Sequence, residues 1–147
     1  MNHFEELHVG ATFHTGSVEV TEDDIRTFAA QFDPQPFHLS REEAEASVFG
    51  RLVASGWHTA ALTMRLIVEG ELQLAGGMIG LGTDGIHWPQ PVLPGDHLHA
   101  ISEIVERRPS RSRPNYGIVK IKSTTLNQRD EMVQVMTTNQ LVLRKES

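Results

Sequence analysis

Between Gln31 and Thr59 the chain reads QFDPQPFHLSREEAEASVFGRLVASGWHT, and this stretch holds the residues best suited to chemistry. An acid and an imidazole, Asp33 and His38, stand among Pro34 and Pro36, and Ser55-Gly56 opens an apolar helical run. Acid, base and a helix N-terminus are what polarising a carbonyl and activating a water require. The same residues have a plainer reading, because an Asp after a helix and a His in a proline loop commonly serve as turn and capping residues. Geometry separates the two readings. A polyproline segment rises about 3.1 Å per residue, so a fully extended loop would hold Asp33 and His38 roughly 15 Å apart. They share one water only if the loop doubles back.

The elements that must position these groups follow from periodicity and punctuation. Thr12 to Val20 is rich in β-branched residues with partial alternation, which predicts a first strand. Thr21 has the form of a helix N-cap, with Glu22, Asp23 and Asp24 where the helix dipole favours negative charge. Ile25, Phe28, Ala29 and Phe32 fall at helical spacing, and Pro34 stops that helix. Residues before proline are pushed out of the helical region, so Asp33 and Gln35 are expected to be extended. Ser40 and Glu43 form a capping-box pattern that starts a short helix through about Ser47. After a loop bracketed by Gly50 and Gly56, a helix from Trp57 to Glu69 carries apolar residues around more than one face, as a helix wrapped by other elements does.

The second half turns strand-like at Ile79 to Trp88, His97 to Arg107, Gly117 to Leu126 and Met132 to Leu143, separated by Pro-, Gly- and Asn-containing turns. Short connections favour antiparallel pairing. The expected fold class is therefore α+β, an antiparallel sheet of about five strands curled around a central helix. Such a sheet leaves its edges and part of the helix uncovered, which a symmetric dimer would hide.

Composition sets outer bounds. The 147 residues are read as one domain spanning the whole chain, 1–147. No cysteine is present, which excludes disulfides, thiolate metal sites and cysteine nucleophiles and fits a reducing cytoplasm. The formal charge of −6 argues against a nucleic-acid surface. No apolar run approaches the roughly 20 residues that span a bilayer, and the polar start lacks a signal-peptide pattern. A cytoplasmic protein is expected, with neither membrane nor nucleic acid as partner.

Several residues are weaker candidates. His97 and His99 share a strand face, but an i, i+2 pair without a third ligand falls short of usual metal constellations. No metal site is therefore assigned. His58 and His87 neighbour tryptophans and read as partly buried histidines. Arg107, Arg108, Arg111 and Arg113 form a basic cluster that would suit phosphates, or simply a solvated hairpin loop.

The run Asp33-Pro34-Gln35-Pro36-Phe37-His38 resembles the hydratase motif of MaoC-like proteins, the R-specific enoyl-CoA hydratases and related acyl dehydratases. The resemblance extends through Ser55-Gly56, the turn Pro91 to Asp96 and the strand after Pro109 to Pro114. It implies a hotdog fold, usually dimeric, and a hydro-lyase acting on an acyl-CoA thioester without any cofactor beyond the coenzyme A of the substrate. By that resemblance Asp33 and His38 hold one water. Asp33 accepts its proton as it attacks the β-carbon, and His38 orients it and helps protonate the α-carbon. The Gly56 N–H binds the thioester oxygen. Gln35, Phe37, Ser55, Arg111 and Arg113 are the expected substrate-binding residues. Gln35 stands where the family motif has Asn, Phe32 where it often has Gly and Phe37 where a smaller aliphatic residue is common, and these departures bear on the substrate more than on the reaction. An acyl-thioester-binding module without catalysis and a hotdog thioesterase are the alternatives.

Overall fold

The computed structural model describes residues 1–145. After a 3-10 turn at Phe4–Glu6 come strands β1 (Thr12–His14) and β2 (Val18–Glu19), then helices α1 (Glu22–Phe32), α2 (Pro36–Leu39), α3 (Arg41–Glu45) and α4 (Gly56–Glu69). Four long strands follow, β3 (Ile79–His87), β4 (His97–Pro109), β5 (Tyr116–Leu126) and β6 (Met132–Leu143). They pair antiparallel in the order β1-β4-β5-β6-β3, and β2 adds to the far part of β4.

The single first strand expected over Thr12 to Val20 is two strands. Thr15 breaks it by putting its hydroxyl in the ladder, where Oγ1 accepts the Ala100 N–H at 2.8 Å, and β2 resumes against Leu98 and His97. Register shifts along β3, β4 and the β5–β6 pair are the bulges that bend a sheet, and the curved sheet packs α4 against its inner face. Leu7, Ile67, Ala100, Ile104, Val119 and Val142 belong to one buried cluster, and Val20, Ile25, Ala44, Leu52, Leu66, Leu98 and Val133 to a second nearer the candidate site.

α1 begins as its sequence predicts, with Thr21 Oγ1 accepting the Asp24 N–H at 3.1 Å. Ser40 Oγ accepts the Glu43 N–H at the start of α3, although α3 ends at Glu45, short of Ser47. α4 buries His58, Thr59, Thr63, Leu66 and Ile67. Its opposite stripe, Trp57, Ala61, Met64 and Val68, is exposed, so within one chain the helix is half-wrapped rather than surrounded. No helix among the described residues is long and apolar enough to cross a membrane.

Candidate active site

The loop between Asp33 and His38 doubles back. Pro36 occupies the first turn of α2, where its fixed φ suits a helix and its missing N–H costs nothing, and Gln35 caps that turn in an extended conformation. One helical turn in place of a polyproline ribbon brings His38 Nε2 to 3.4 Å from Asp33 Oδ2.

The tautomer of His38 follows from its other nitrogen. Nδ1 lies 2.6 Å from the Val53 carbonyl oxygen, which can only accept, so Nδ1 carries a proton, and in the neutral form of the ring it is Nε2 that presents the lone pair. A lone pair facing a carboxylate oxygen calls for a proton donor between them. A water bridging the two would donate one hydrogen to each. His38 is buried, and the backbone fixes its orientation through Val53, which also donates its N–H to the Phe37 carbonyl at 3.3 Å.

Ser55 completes the arrangement from behind. Its Oγ donates to Asp33 Oδ2 at 2.7 Å and accepts the Trp57 N–H at 3.2 Å, so one hydroxyl caps α4 and holds the carboxylate. We expect Ser55→Ala to cost about 1 kcal/mol of stability as a lost cap and to lower turnover with little change in KM, with Ser55→Thr restoring most of both. Equal loss in kcat and gain in KM would place Ser55 on the substrate instead.

The neighbouring cavity encloses about 370 Å³, within the range of small-molecule sites. His38 and Gly56 line it, with Phe37, Phe49, Val53 and Thr59 on the helical side and Trp88, Pro89, Gln90, Val92 and Val133 on the sheet side. The Gly56 N–H has no partner among the described residues and sits at the positive end of the fourteen-residue α4, where an oxygen gaining negative charge is stabilised. Gly56 has an ordinary helical backbone. What requires glycine is space, since a Cβ there would lie 2.5 Å from the Trp88 ring.

The turn at Pro91 to Asp96 anchors this wall. Asp96 Oδ2 accepts the Leu93 N–H and Oδ1 accepts Gln128 Nε2, while the Ala54 N–H reaches the Val92 carbonyl at 2.9 Å. Gly95 supplies the positive φ of 90° that closes the turn.

Of the expected residues, the structure brings Asp33, His38, Ser55, Gly56 and Phe37 together and places three others elsewhere. Gln35 stands at the N-cap of α2 without a side-chain capping bond; it is exposed and does not line the cavity. Ser55 is fully buried behind Asp33 rather than facing a substrate. Arg111 and Arg113 are exposed in the β4–β5 loop, at the end of the sheet opposite the cavity, because β4 runs away from the site along its whole length. Trp88, Phe49 and the Val53 carbonyl are wall and orienting groups that motif reading does not single out. Their places depend on how the sheet meets α4.

His58, expected as a partly buried histidine, is buried and stacks on Phe28 with ring centroids 4.7 Å apart. Burial holds its pKa below the ordinary histidine value, with Asp24 opposing and His38 adding to the effect. Its unfolded counterpart titrates near 6.5, so as pH falls through about 6.5 the unfolded chain gains a proton that the folded chain resists, and stability present above that pH declines. Urea unfolding of parent and His58→Phe between about pH 7 and 5 should show the flatter profile in the variant. Parallel profiles would refute the assignment. No group of three potential metal ligands occurs among the described residues, and His99 faces Asp130 at 3.6 Å.

Comparison with known proteins identifies the fold and the family. The family model described as "MaoC like domain" matches residues 5–127. The uncharacterized protein YdeM of Bacillus subtilis is 35% identical over 131 residues, covering 88% of this chain and 90% of YdeM. The crystal structure of a MaoC-like dehydratase from Rhodospirillum rubrum superposes with a TM-score of 0.95 at 48% identity over 100% of both chains. The R-hydratase PhaJ1 of Pseudomonas aeruginosa superposes with a TM-score of 0.75 at 26% identity, over 98% of this chain and 86% of that one. The fold is the hotdog fold of these proteins, and the chain belongs to the MaoC-like family, which includes R-hydratases and 3-hydroxyacyl-thioester dehydratases.

Proposed function

We propose that the protein adds water to, or removes it from, the α,β bond of an acyl-CoA thioester, with no cofactor beyond the substrate's own coenzyme A. The observation that carries this reading is the convergence of Asp33 Oδ2 and His38 Nε2 at 3.4 Å, with His38 Nδ1 committed to the Val53 carbonyl, beside the free Gly56 N–H. In the hydration direction the water held by both groups attacks the β-carbon. Its proton passes to Asp33 and the Asp33–His38 pair returns one to the α-carbon, so the net addition is one hydroxyl and one hydrogen. The negative charge that develops on the thioester oxygen between those events meets Gly56 N–H, a contact of the type worth about 3 kcal/mol in a transition state.

The test is an ultraviolet assay of the enoyl-thioester chromophore run beside a thiol assay. Loss of the chromophore without thiol release supports hydration. Thiol release would make the protein a thioesterase, and binding with neither change a binding module.

The functional unit under this proposal is a homodimer. Trp57, Ala61, Met64 and Val68 form an exposed apolar stripe on α4, and among the described residues β3 pairs only with β6, leaving Ile79 and Leu81 exposed on an open edge. Two-fold pairing of β3 with its copy would cover the open edge, and burying the α4 stripe in the same interface would bring it to at least about 1,200 Å². Antiparallel pairing would also set the partner's β4–β5 loop, with its Arg111 and Arg113, at the same end as this chain's cavity. We expect sedimentation to give a dimer at micromolar concentration. Changing Arg107, Arg108, Arg111 and Arg113 to Gln should raise KM and weaken its salt dependence while leaving kcat nearly intact. A compact monomer, or an unchanged KM, would sink the respective claim.

A further inference from the structure

The start of α4 carries hydroxyls at Ser55, Thr59 and Thr63, one helical turn apart and all buried. Ser55 Oγ is committed to Asp33 and to the Trp57 N–H, and Thr63 Oγ1 to Thr125 Oγ1 at 2.7 Å. The Thr59 hydroxyl between them has no hydrogen-bond partner among the described residues. A threonine inside a helix can turn its hydroxyl back onto the carbonyl one turn earlier. Here that carbonyl is taken, because the Ser55 oxygen accepts the N–H of both His58, at 3.0 Å, and Thr59, at 3.1 Å.

Thr59 is 2% exposed, and a hydroxyl buried that far without a partner is destabilising. Valine, with the same shape and no hydroxyl, would suit a purely structural position better. Thr59 Oγ1 is nevertheless open on one side. It is not among the fully enclosed polar atoms that lack a partner, such as His58 Nδ1 and Gln134 Nε2, and Thr59 lines the cavity with Gly56 and His38. The hydroxyl therefore faces the cavity.

Helix geometry fixes what it meets there. Cα–Cβ bonds tilt toward the helix N-terminus, so a side chain at i+3 leans over residue i, with about 5–6 Å between such neighbours. Thr59 leans in this way over Gly56, whose unpaired N–H opens from the same end of α4. An oxygen seated on that N–H lies within reach of the Thr59 hydroxyl, and a carbonyl oxygen has a second lone pair to offer it. His38, the other polar side chain on this wall, is directed at Val53 and Asp33 instead.

We propose that the Thr59 hydroxyl is a second donor to the thioester oxygen, beside the Gly56 N–H, which makes Thr59 a catalytic residue. This rests on the acyl-thioester part of the function proposed above. The hydroxyl keeps its proton throughout. Its bond to the oxygen strengthens as the carbonyl takes on enolate charge, so the contact favours the transition state over the bound substrate.

The experiment compares the parent with Thr59→Val, which keeps the shape, and Thr59→Ser, which keeps the hydroxyl, on straight-chain trans-2-enoyl-CoA substrates. Thr59→Val should lower kcat by about 10²-fold, the lower end for one oxyanion donor, with KM within about twofold of the parent. Thr59→Ser should return kcat to within about threefold. The melting temperature of Thr59→Val should stay level or rise, because an unpaired hydroxyl has been removed. A second readout, which packing alone would not move, is the infrared stretch of a carbon-13-labelled thioester carbonyl bound to Asp33→Asn, with and without Thr59→Val. Loss of one of two donors should move that band to higher frequency, toward the free thioester. A kcat for Thr59→Val within about twofold of the parent, Thr59→Ser as slow as Thr59→Val, a lowered melting temperature in Thr59→Val or an unmoved band would overturn the second donor alone. A moved band in a protein that hydrates no enoyl-CoA would keep the donor and overturn the hydratase reading. Absence of both a bound-thioester band and turnover would overturn the two together.

Discussion

Asp33→Asn is expected to lower the hydration rate by roughly 10²–10⁴, the usual worth of one positioned acid–base side chain, while leaving the fold essentially unchanged. The amide is isosteric and its carbonyl oxygen still accepts the Ser55 hydroxyl that Asp33 Oδ2 accepts at 2.7 Å. What it cannot do is take a proton from the bridging water. His38→Ala should lose a similar factor in rate but behave differently in stability. Although the histidine reads from sequence as a loop residue outside the core, it is buried and donates to the Val53 carbonyl, and removing it leaves that carbonyl unpaired at a cost of about 1–3 kcal/mol. Because the two groups act on one water, the double variant should be little slower than the worse single one. Steady-state rates with urea titrations on all three proteins test this. Near-normal turnover in Asp33→Asn, or effects that multiply in the double variant, would remove the shared-water mechanism.

Gly56→Ala is expected to be the other severe change, and its cause is steric rather than conformational. The added methyl overlaps the Trp88 indole, so either the ring or the start of α4 must move, and overpacking of this kind costs typically about 1–3 kcal/mol. Movement of the helix start displaces the N–H proposed to meet the thioester oxygen, and losing such a donor costs about 10²–10³ in kcat. The discriminating measurement is the double variant Gly56→Ala with Trp88→Ala. The backbone N–H is still present there and the clash is gone, so a substantial part of kcat should return even though a cavity wall is missing. A double variant as slow as Gly56→Ala alone would show that something other than the Trp88 contact makes the glycine necessary.

How much of this was legible beforehand differs from residue to residue, for physical reasons. Thr21 and Ser40 announce their helices because capping is a local exchange between a side-chain oxygen and backbone N–H groups two or three residues on, and both accept such bonds. The four long strands declare themselves through β-branched runs between turn residues, with ends that agree to within two residues. The first strand was misjudged because Thr15 breaks it through a bond to Ala100, a residue distant in sequence. Residue types brought Asp33 and His38 forward as a candidate acid and base, and the resemblance of their motif to a known family supplied the family and the expected role of the Gly56 N–H.

Tertiary structure alone decided whether those residues meet. Pro34 and Pro36 are compatible with an extended ribbon and equally with the turn of α2, because a fixed φ suits both. The choice is made by contacts from elsewhere, with Val53 holding His38 and Ser55 holding Asp33. The same holds for the substrate side. Gln35 and Ser55 carry suitable polar groups, but the first is exposed at the start of α2 and the second is committed to the α4 cap and the carboxylate. Arg111 and Arg113 carry suitable charge, but the length of β4 removes them from the cavity of their own chain. Trp88 forms a wall that no local pattern marks, since its bond to Gln134 joins the end of one strand to the inner face of another. Sequence determined which groups were available and which helices and strands would carry them, because those are properties of neighbours along the chain. The packing of α4 into the curved sheet decided which groups share a cavity, because that depends on hydrogen bonds and contacts between residues that are neighbours only in space.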